Sequence, residues 1–152
     1  MQERSSSGFG LAWLAFALAL ACHVADEATH DFLSFYNPNV IAIRARVPWL
    51  PLPTFTFREW IIGLSAAILL LIVLTPLAAR GERWVRVAAW PLGIVIGIGN
   101  GLAHMITSTY FHRLMPGVLS APLIIAAGVW LVAKARSPAG GRASHAALQG
   151  RT

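Results

Sequence analysis

The chain has 152 residues, 57% of them apolar, and only 12% are charged, about half the charged share of an ordinary soluble domain. Its mean hydropathy is +0.64, and its apolar residues fall in runs too long for a soluble core of this size to hide, which excludes a cytosolic globule and a disordered chain. The net charge of +6 comes from arginines scattered between apolar runs rather than from a basic face, so nucleic acid is not an expected partner, and the lone Cys22 excludes an internal disulfide, a CxxC pair and a zinc ribbon.

Four stretches, 8–32, 59–78, 85–108 and 117–135, are long enough to cross a hydrocarbon core of about 30 Å, which takes roughly 20 helical residues. The turns between them are marked by Pro38, Pro48, Pro51 and Pro53, then by Arg80, Gly81, Glu82 and Arg83, then by Met115, Pro116 and Gly117. The expected fold is all-α: a four-helix transmembrane bundle forming one domain over residues 1–136, with membrane lipids as its surroundings. Between the first two helices, residues 33–57 carry Phe35, Tyr36, Trp49, Phe55 and Phe57 among prolines and asparagines. This segment is expected to lie in the membrane interface as an anchor, with a lid over a polar cluster as the functional alternative. The tail 137–152, rich in Ala, Gly, Ser and Arg, reads as a disordered cytoplasmic end.

Basic residues give the orientation, because Lys and Arg accumulate in cytoplasmic loops. Arg4, Arg80, Arg83, Arg86, Lys134, Arg136, Arg142 and Arg151 fall on one side and Arg44, Arg46, Arg58 and Arg113 on the other, so both termini are expected in the cytoplasm. The aromatic residues fit two interfaces, with Trp13, Trp84, Trp90 and Trp130 at the inner one and Tyr36, Trp49, Trp60 and Tyr110 at the outer. A cleavable signal peptide is the competing reading of the first run, and Ala19-Leu20-Ala21-Cys22 has the outline of a lipoprotein processing site. Ala19 stands where such sites prefer Leu, and cleavage would leave the polar cluster at a bare terminus, so a retained first helix is expected.

The chain has six acidic residues, and Asp26, Glu27 and Asp31 lie together with His23 and His30 at the end of the first run. Taking His23 as zero, the helical angle is about −60° for Asp26, +40° for Glu27, −20° for His30 and +80° for Asp31, so all five share one side. Ala12, Ala15 and Ala19 continue that stripe, while Leu14, Leu18 and Phe32 point elsewhere. In the third run Gly93, Gly97 and Gly101 recur every four residues, with Asn100, His104 and Ser108 on or beside the same face. Glycine permits close backbone approach, so Asn100 and His104 are expected to reach the acidic stripe of the first helix. Glu59 and His112-Arg113 fall on that same outer side. Ionisable groups in a bilayer cost on the order of 2.5 to 3.5 kcal/mol each, and so many in one layer point to a site rather than to a hydrogen-bond network that only holds helices together. Cys22, about 100° from His23, reads as a small buried apolar residue.

His23-Val24-Ala25-Asp26-Glu27 resembles the His-x-x-Glu-Glu signature of the HXXEE domain family of small bacterial membrane proteins. Asn100-x-x-x-His104, followed by Tyr110 and Pro116-Gly117, looks like that family's second block, and the two together cover about half of the chain. Asp26 stands where the signature has its first Glu, one methylene shorter. The resemblance implies a four-helix fold in a bacterial inner membrane and a functional set of His23, Asp26, Glu27, Asn100 and His104, without implying a reaction.

Three chemistries suit this set. The first is a divalent metal site for Zn²⁺, Fe²⁺ or Mn²⁺ drawing on His23, Glu27, His30 and His104, in an enzyme acting on a hydrophobic or lipid-like small molecule. Glu27-x-x-His30 has the i, i+3 spacing of carboxylate-bridged metal bundles, whereas His23 and His30 lie about 10.5 Å apart along the axis, too far for both to hold one ion. Glu27, His30 and His104 are therefore the expected core of the ligand set, and Ser65, Thr75 and Ser120 are poor ligands. The second is metal-free acid/base catalysis, as an isomerase or hydrolase of a lipid-like substrate. The third is a lipid- or proton-binding membrane subunit, for which no internal repeat speaks. No haem attachment motif is present.

Overall fold

The computed structural model describes residues 2–136, with side-chain surroundings from Gly8 onward; the tail 137–152, expected to be disordered, lies outside the described residues. Every regular element among them is helical: α1 (Gln2–Thr29), α2 (Phe32–Arg46), α3 (Phe57–Val73), α4 (Thr75–Arg80), α5 (Arg83–Pro91), a π-helical stretch (Leu92–Gly99), α6 (Asn100–Tyr110) and α7 (Ala121–Arg136). Three continuous helical segments are long and apolar enough to cross a membrane, Gly8–Thr29, Phe57–Arg80 and Arg83–Tyr110, with mean hydropathies of 1.9, 2.6 and 1.4. The fourth expected span is shorter. At 16 residues, α7 is about 24 Å long, because Gly117 adopts φ +84° and residues 116–120 form turns ahead of the helix.

Helix α1 is the centre of the bundle: 56% of its span is buried inside the protein, against 17% for Phe57–Arg80 and 28% for Arg83–Tyr110. Its first half buries Phe9, Trp13 and Phe16, which pack with Leu71, Val85, Ile124 and Leu131 from the surrounding helices. The expectation that Trp13 and Trp60 serve as interfacial anchors is corrected here, since both are core residues, whereas Trp49, Trp84 and Tyr110 are exposed. The Trp13 indole N–H donates to the Leu71 carbonyl at 2.7 Å, which also accepts from the Thr75 hydroxyl at 3.3 Å, beside the break between α3 and α4. The partner satisfies a buried indole donor that an apolar core otherwise leaves stranded. Leu18, Ile62, Leu69, Leu70 and Val73 are exposed, an arrangement suited to lipid rather than water.

The glycine ladder packs against a different partner from the one expected. A Cβ on Gly93 would come within 2.6 Å of Val132 Cγ2, one on Gly97 within 2.8 Å of Gly128 Cα, and one on Gly101 within 2.5 Å of Ile125 Cγ1, all on α7. Only Gly97 also faces α1, through Phe16 Cε2 at 3.1 Å. The segment from Leu92 to Tyr110 thus lies in the groove between α1 and α7, showing its glycines to α7 and Asn100 and His104 to α1. Pro91 precedes the π stretch, and its missing N–H removes one bond of the α ladder where that stretch begins.

The 33–57 segment is more ordered than its prolines imply. Residues 32–46 form α2, with Pro38 inside it and Val40 as its one buried residue. The extended strap that follows is tied back to this helix: the Asn37 side chain donates to the Phe55 carbonyl at 2.8 Å and accepts from the Phe55 N–H at 3.1 Å, and the Tyr36 hydroxyl donates to the Pro53 carbonyl at 3.1 Å. Helix α3 then starts in a capping box between Thr56 and Glu59.

Arg86 lies 4.7 Å above the Phe9 ring and donates to the Lys134 carbonyl, and Arg136 lies 4.9 Å above Trp90. The basic residues of 80–86 and 134–136 therefore gather at one end of the bundle, and His23 lies about 21 Å along α1 from Phe9.

Gly101→Leu is expected to destabilise the folded protein by about 3 kcal/mol or more, because its side chain has to displace α7 backbone. Gly63→Ala, at a position where a Cβ meets nothing within 4 Å, is expected to leave the melting temperature of detergent-solubilised protein unchanged. Equal melting temperatures for the two variants would refute the packing described for α6 and α7.

Candidate functional site

The second half of α1 turns from aromatic to polar on its buried side. His23, Glu27 and His104 are the buried polar residues of the described chain, 1%, 5% and 7% exposed. His23 and Glu27 are one turn apart on α1, and α6 brings His104 against them. His104 Nε2 lies 3.0 Å and His23 Nε2 3.6 Å from the same oxygen, Glu27 Oε1, and the three side chains each place one ligand-type atom within 4.8 Å of the others. The two imidazoles meet edge to face at 4.8 Å.

Hydrogen bonds fix the state of His23. Ser120 N–H and Oγ–H both reach Asp26 Oδ2, at 2.9 and 2.7 Å, and the carboxylate can only accept. The single Ser120 hydroxyl proton therefore goes to Asp26, and Ser120 Oγ accepts from His23 Nδ1 at 2.8 Å. His23 accordingly carries its proton on Nδ1, leaving a lone pair on Nε2, which accepts from the Asn100 amide at 2.9 Å. An Asp26–Ser120–His23–Asn100 chain thus fixes the His23 ring with its Nε2 3.6 Å from Glu27 Oε1. Asp26 also receives the N–H just ahead of α7, where a negative charge suits the helix dipole.

Of the residues expected at the site, His23, Glu27, Asn100 and His104 come together as the polar stripes predict, although the glycines expected to bring them together face α7. Asp26 adjoins the group but acts through Ser120. His30 is corrected out of it: its Nδ1 lies 2.9 Å from Asp26 Oδ1 and 2.8 Å from the Asp26 carbonyl, with its side chain 51% exposed. The His30 N–H still closes on the Asp26 carbonyl at 3.2 Å, but this is the last turn of α1: the ring folds back on Asp26, and the chain turns away at Asp31, φ +55°. Asp31 accepts from the Ser34 hydroxyl in the turn into α2. Cys22, expected to be buried, is exposed.

Two residues escape a reading based on ligand types. Ser120 is no ligand, but Ser before Ala121-Pro122 and an apolar run has the form of a helix start, and its carbonyl accepts from Ile124 N at 3.1 Å. Gly117 covers the group from the loop between α6 and α7. A Cβ there would lie 2.7 Å from His104 Cε1 and 3.1 Å from Glu27 Cγ, and φ +84° itself favours glycine.

Glu27 and Asn100 also line a cavity of about 650 Å³. Its back wall is α1 at Leu20 and Val24, one flank is α3 at Gly63 and Leu64, and the other is the π stretch at Val95 and Ile96. Toward one end stand the rings of Phe32, Tyr36, Phe55 and Trp60. Phe32 lies 5.4 Å from Tyr36, 5.9 Å from Trp60 and 5.7 Å from the His104 ring, joining the aromatic wall to the buried group. The cavity is partly open to its surroundings. Comparisons with protein-family models, curated proteins and solved structures give no match for this chain.

Ser120→Ala is expected to remove the acceptor that holds the His23 proton on Nδ1, at a stability cost of about 1 kcal/mol. Histidine ¹⁵N spectra of detergent-solubilised protein at neutral pH read this directly: wild type should give the Nδ1–H pattern for His23, and the variant a mixture or the Nε2–H form. An unchanged His23 tautomer in Ser120→Ala would refute the chain of hydrogen bonds.

Proposed function

We propose that the protein is a membrane-embedded, metal-dependent enzyme that acts on a hydrophobic, lipid-like molecule, with His23, Glu27 and His104 holding a divalent cation. The observation that supports this is the convergence of His23 Nε2, a Glu27 oxygen and His104 Nε2 beside an apolar cavity; the Asn100 amide, which holds the His23 lone pair here, would yield it to the ion. Tetrahedral ligands at about 2.0 to 2.2 Å from an ion stand roughly 3.3 to 3.6 Å from one another; the two histidine-to-Glu27 separations here are 3.6 and 3.0 Å, and all three ligand atoms lie within 4.8 Å of one another. A two-His, one-Glu set leaves a fourth position for water or substrate, the pattern of catalytic rather than structural zinc. The Asp26–Ser120 pair behind His23 is the kind of outer support that raises a ligand's basicity and fixes its tautomer. A bound ion would supply Lewis acidity or an activated water; Zn²⁺, Fe²⁺ and Mn²⁺ all accept this ligand set.

The blocks that resemble the HXXEE domain family, His23 to Glu27 and Asn100 to His104, are the two that meet in this group, which supports reading the motif as a site signature. A second reading rests on the 3.0 Å contact between His104 and Glu27. Such a pair is also a general acid and base, and metal-free isomerisation or hydrolysis in the same cavity follows if no ion binds. For topology we propose a multi-pass protein of a bacterial inner membrane with α7 as the fourth crossing and both termini cytoplasmic. The gathering of basic residues at the Phe9 end of α1 supports this orientation, and it puts the site toward the outer face.

Protein purified in mild detergent without chelators is expected to carry about one equivalent of metal per chain. Glu27→Ala should lose that metal while remaining in the membrane fraction, and Ser120→Ala should bind it 10- to 100-fold more weakly. Metal content near zero, with no thermal stabilisation by added Zn²⁺, Fe²⁺ or Mn²⁺, would decide for the acid/base reading. A carboxy-terminal alkaline phosphatase fusion should be inactive and a fluorescent-protein fusion bright; an active phosphatase fusion would reverse the orientation.

A further inference from the structure

The cavity has a charge pattern opposite to that of the chain around it. The protein carries +6 overall, yet the ionisable groups lining the cavity are two carboxylates, Glu27 and Glu59, with no Lys, Arg or His among the lining residues. We propose that this cavity takes a single-chain amphiphile with a cationic head, an alkylamine or alkyl quaternary ammonium, whose head sits at Glu59 and whose chain runs down the cleft between α3 and the π stretch. The proposal names a substrate class for the site and rests on the reading of the protein as acting on a lipid-like molecule, but not on the presence of a metal.

Glu59 is built for this role by its cap. Both bonds from Thr56, N–H and hydroxyl at 2.8 Å each, fall on Glu59 Oε2. The side chain is thereby held in place while Oε1 takes part in neither bond. Phe32, Tyr36, Phe55 and Trp60 stand beside it in the lining, in a ladder of rings 5.4 to 6.1 Å apart. Aromatic rings next to a carboxylate favour an ammonium, above all a methylated one. A phosphate or carboxylate head at this end would face the like charge of Glu59, with no Lys, Arg or His in the lining beside it.

The chain has a path of matching character. Below Glu27 the walls are Leu20 and Val24 on α1, Leu64 on α3 and Val95 on the π stretch, and Leu20 lies about 10.5 Å along α1 from Glu27. Gly63 presents no side chain to the cleft, and a Cβ built there meets nothing within 4 Å. The cleft is partly open, so a chain can enter from among lipid tails. With the head at Glu59 and the tail toward Leu20, the bonds nearest the head lie beside Glu27 and Asn100, where the buried His and Glu group can act on them.

The test uses three probes of equal chain length with a mid-chain bromine pair: an alkyltrimethylammonium, the corresponding alcohol and the corresponding alkyl phosphate. Each is titrated into full-length protein in maltoside micelles, and quenching of Trp60 is taken as the difference between wild type and Trp60→Phe. The ammonium probe is expected to quench Trp60 at a concentration at least tenfold below that of the other two. Glu59→Gln preserves the capping box, since Gln serves at that position, and is expected to abolish the preference. Gly63→Leu should weaken all three probes by filling the cleft. Ser120→Ala, which weakens the metal and lines no part of the cavity, should keep the preference, so loss of metal and loss of head-group selection are read separately. Equal or tighter quenching by the alcohol or the phosphate would overturn the proposal, as would an ammonium preference that survives in Glu59→Gln.

Discussion

A carboxylate with 5% of its surface exposed, set among apolar helices, has to be paired. Left alone, such a charge costs several kcal/mol, and removing its partner is more damaging than never having built the pair. Glu27 is in that position, and much of the architecture serves its pairing. His104 reaches it only because α6 lies in the groove between α1 and α7, and α6 lies there because Gly97 and Gly101 let its backbone rest on α7. Gly117 then closes the loop over both side chains with no atom to spare, and Asp26 holds the start of α7 through Ser120.

The division along α1 follows from the same constraint. Phe9, Trp13 and Phe16 fill space with large rings at one end, where apolar burial and the Trp13 to Leu71 bond hold four helices together. The other end gives up part of that burial to polar side chains and an open cleft. Stability and chemistry are thus separated by about two helical turns, so a change at the polar end need not unfold the aromatic end.

Which of these features a sequence reveals depends on how local their causes are. The meeting of His23, Glu27, Asn100 and His104 is legible because angles on an ideal helix place each pair on one face, and buried polar groups have to find one another. The same angles misplace His30, since they place the root of a side chain and not its ring, which in the last turn of α1 folds back on Asp26. The glycine ladder announces a close neighbour without saying which, and the neighbour proved to be α7. Ser120 is hidden from a search for metal ligands and visible to a search for helix starts. The ordering of residues 32–46 depends on Asn37 and Tyr36 finding the strap at Phe55 and Pro53, contacts across a chain reversal that no periodicity encodes.

The π stretch makes the chain unequally tolerant of changes in length. A ladder closed from residue i to i+5 holds more residues per turn than an α ladder, so Leu92–Gly99 carries slack that its neighbours lack. Loss of one residue there can be absorbed by conversion toward ordinary α-helix, leaving α5 and α6 near their present phase. Helix α1 has no such reserve. One residue lost between Phe16 and His23 would turn everything beyond it by about 100° and move it about 1.5 Å along the axis, carrying His23, Asp26 and Glu27 away from His104, Asn100 and Ser120 together. Loss of a single residue is therefore expected to be better tolerated in the third span than in the first, although the first is the more regular helix of the two.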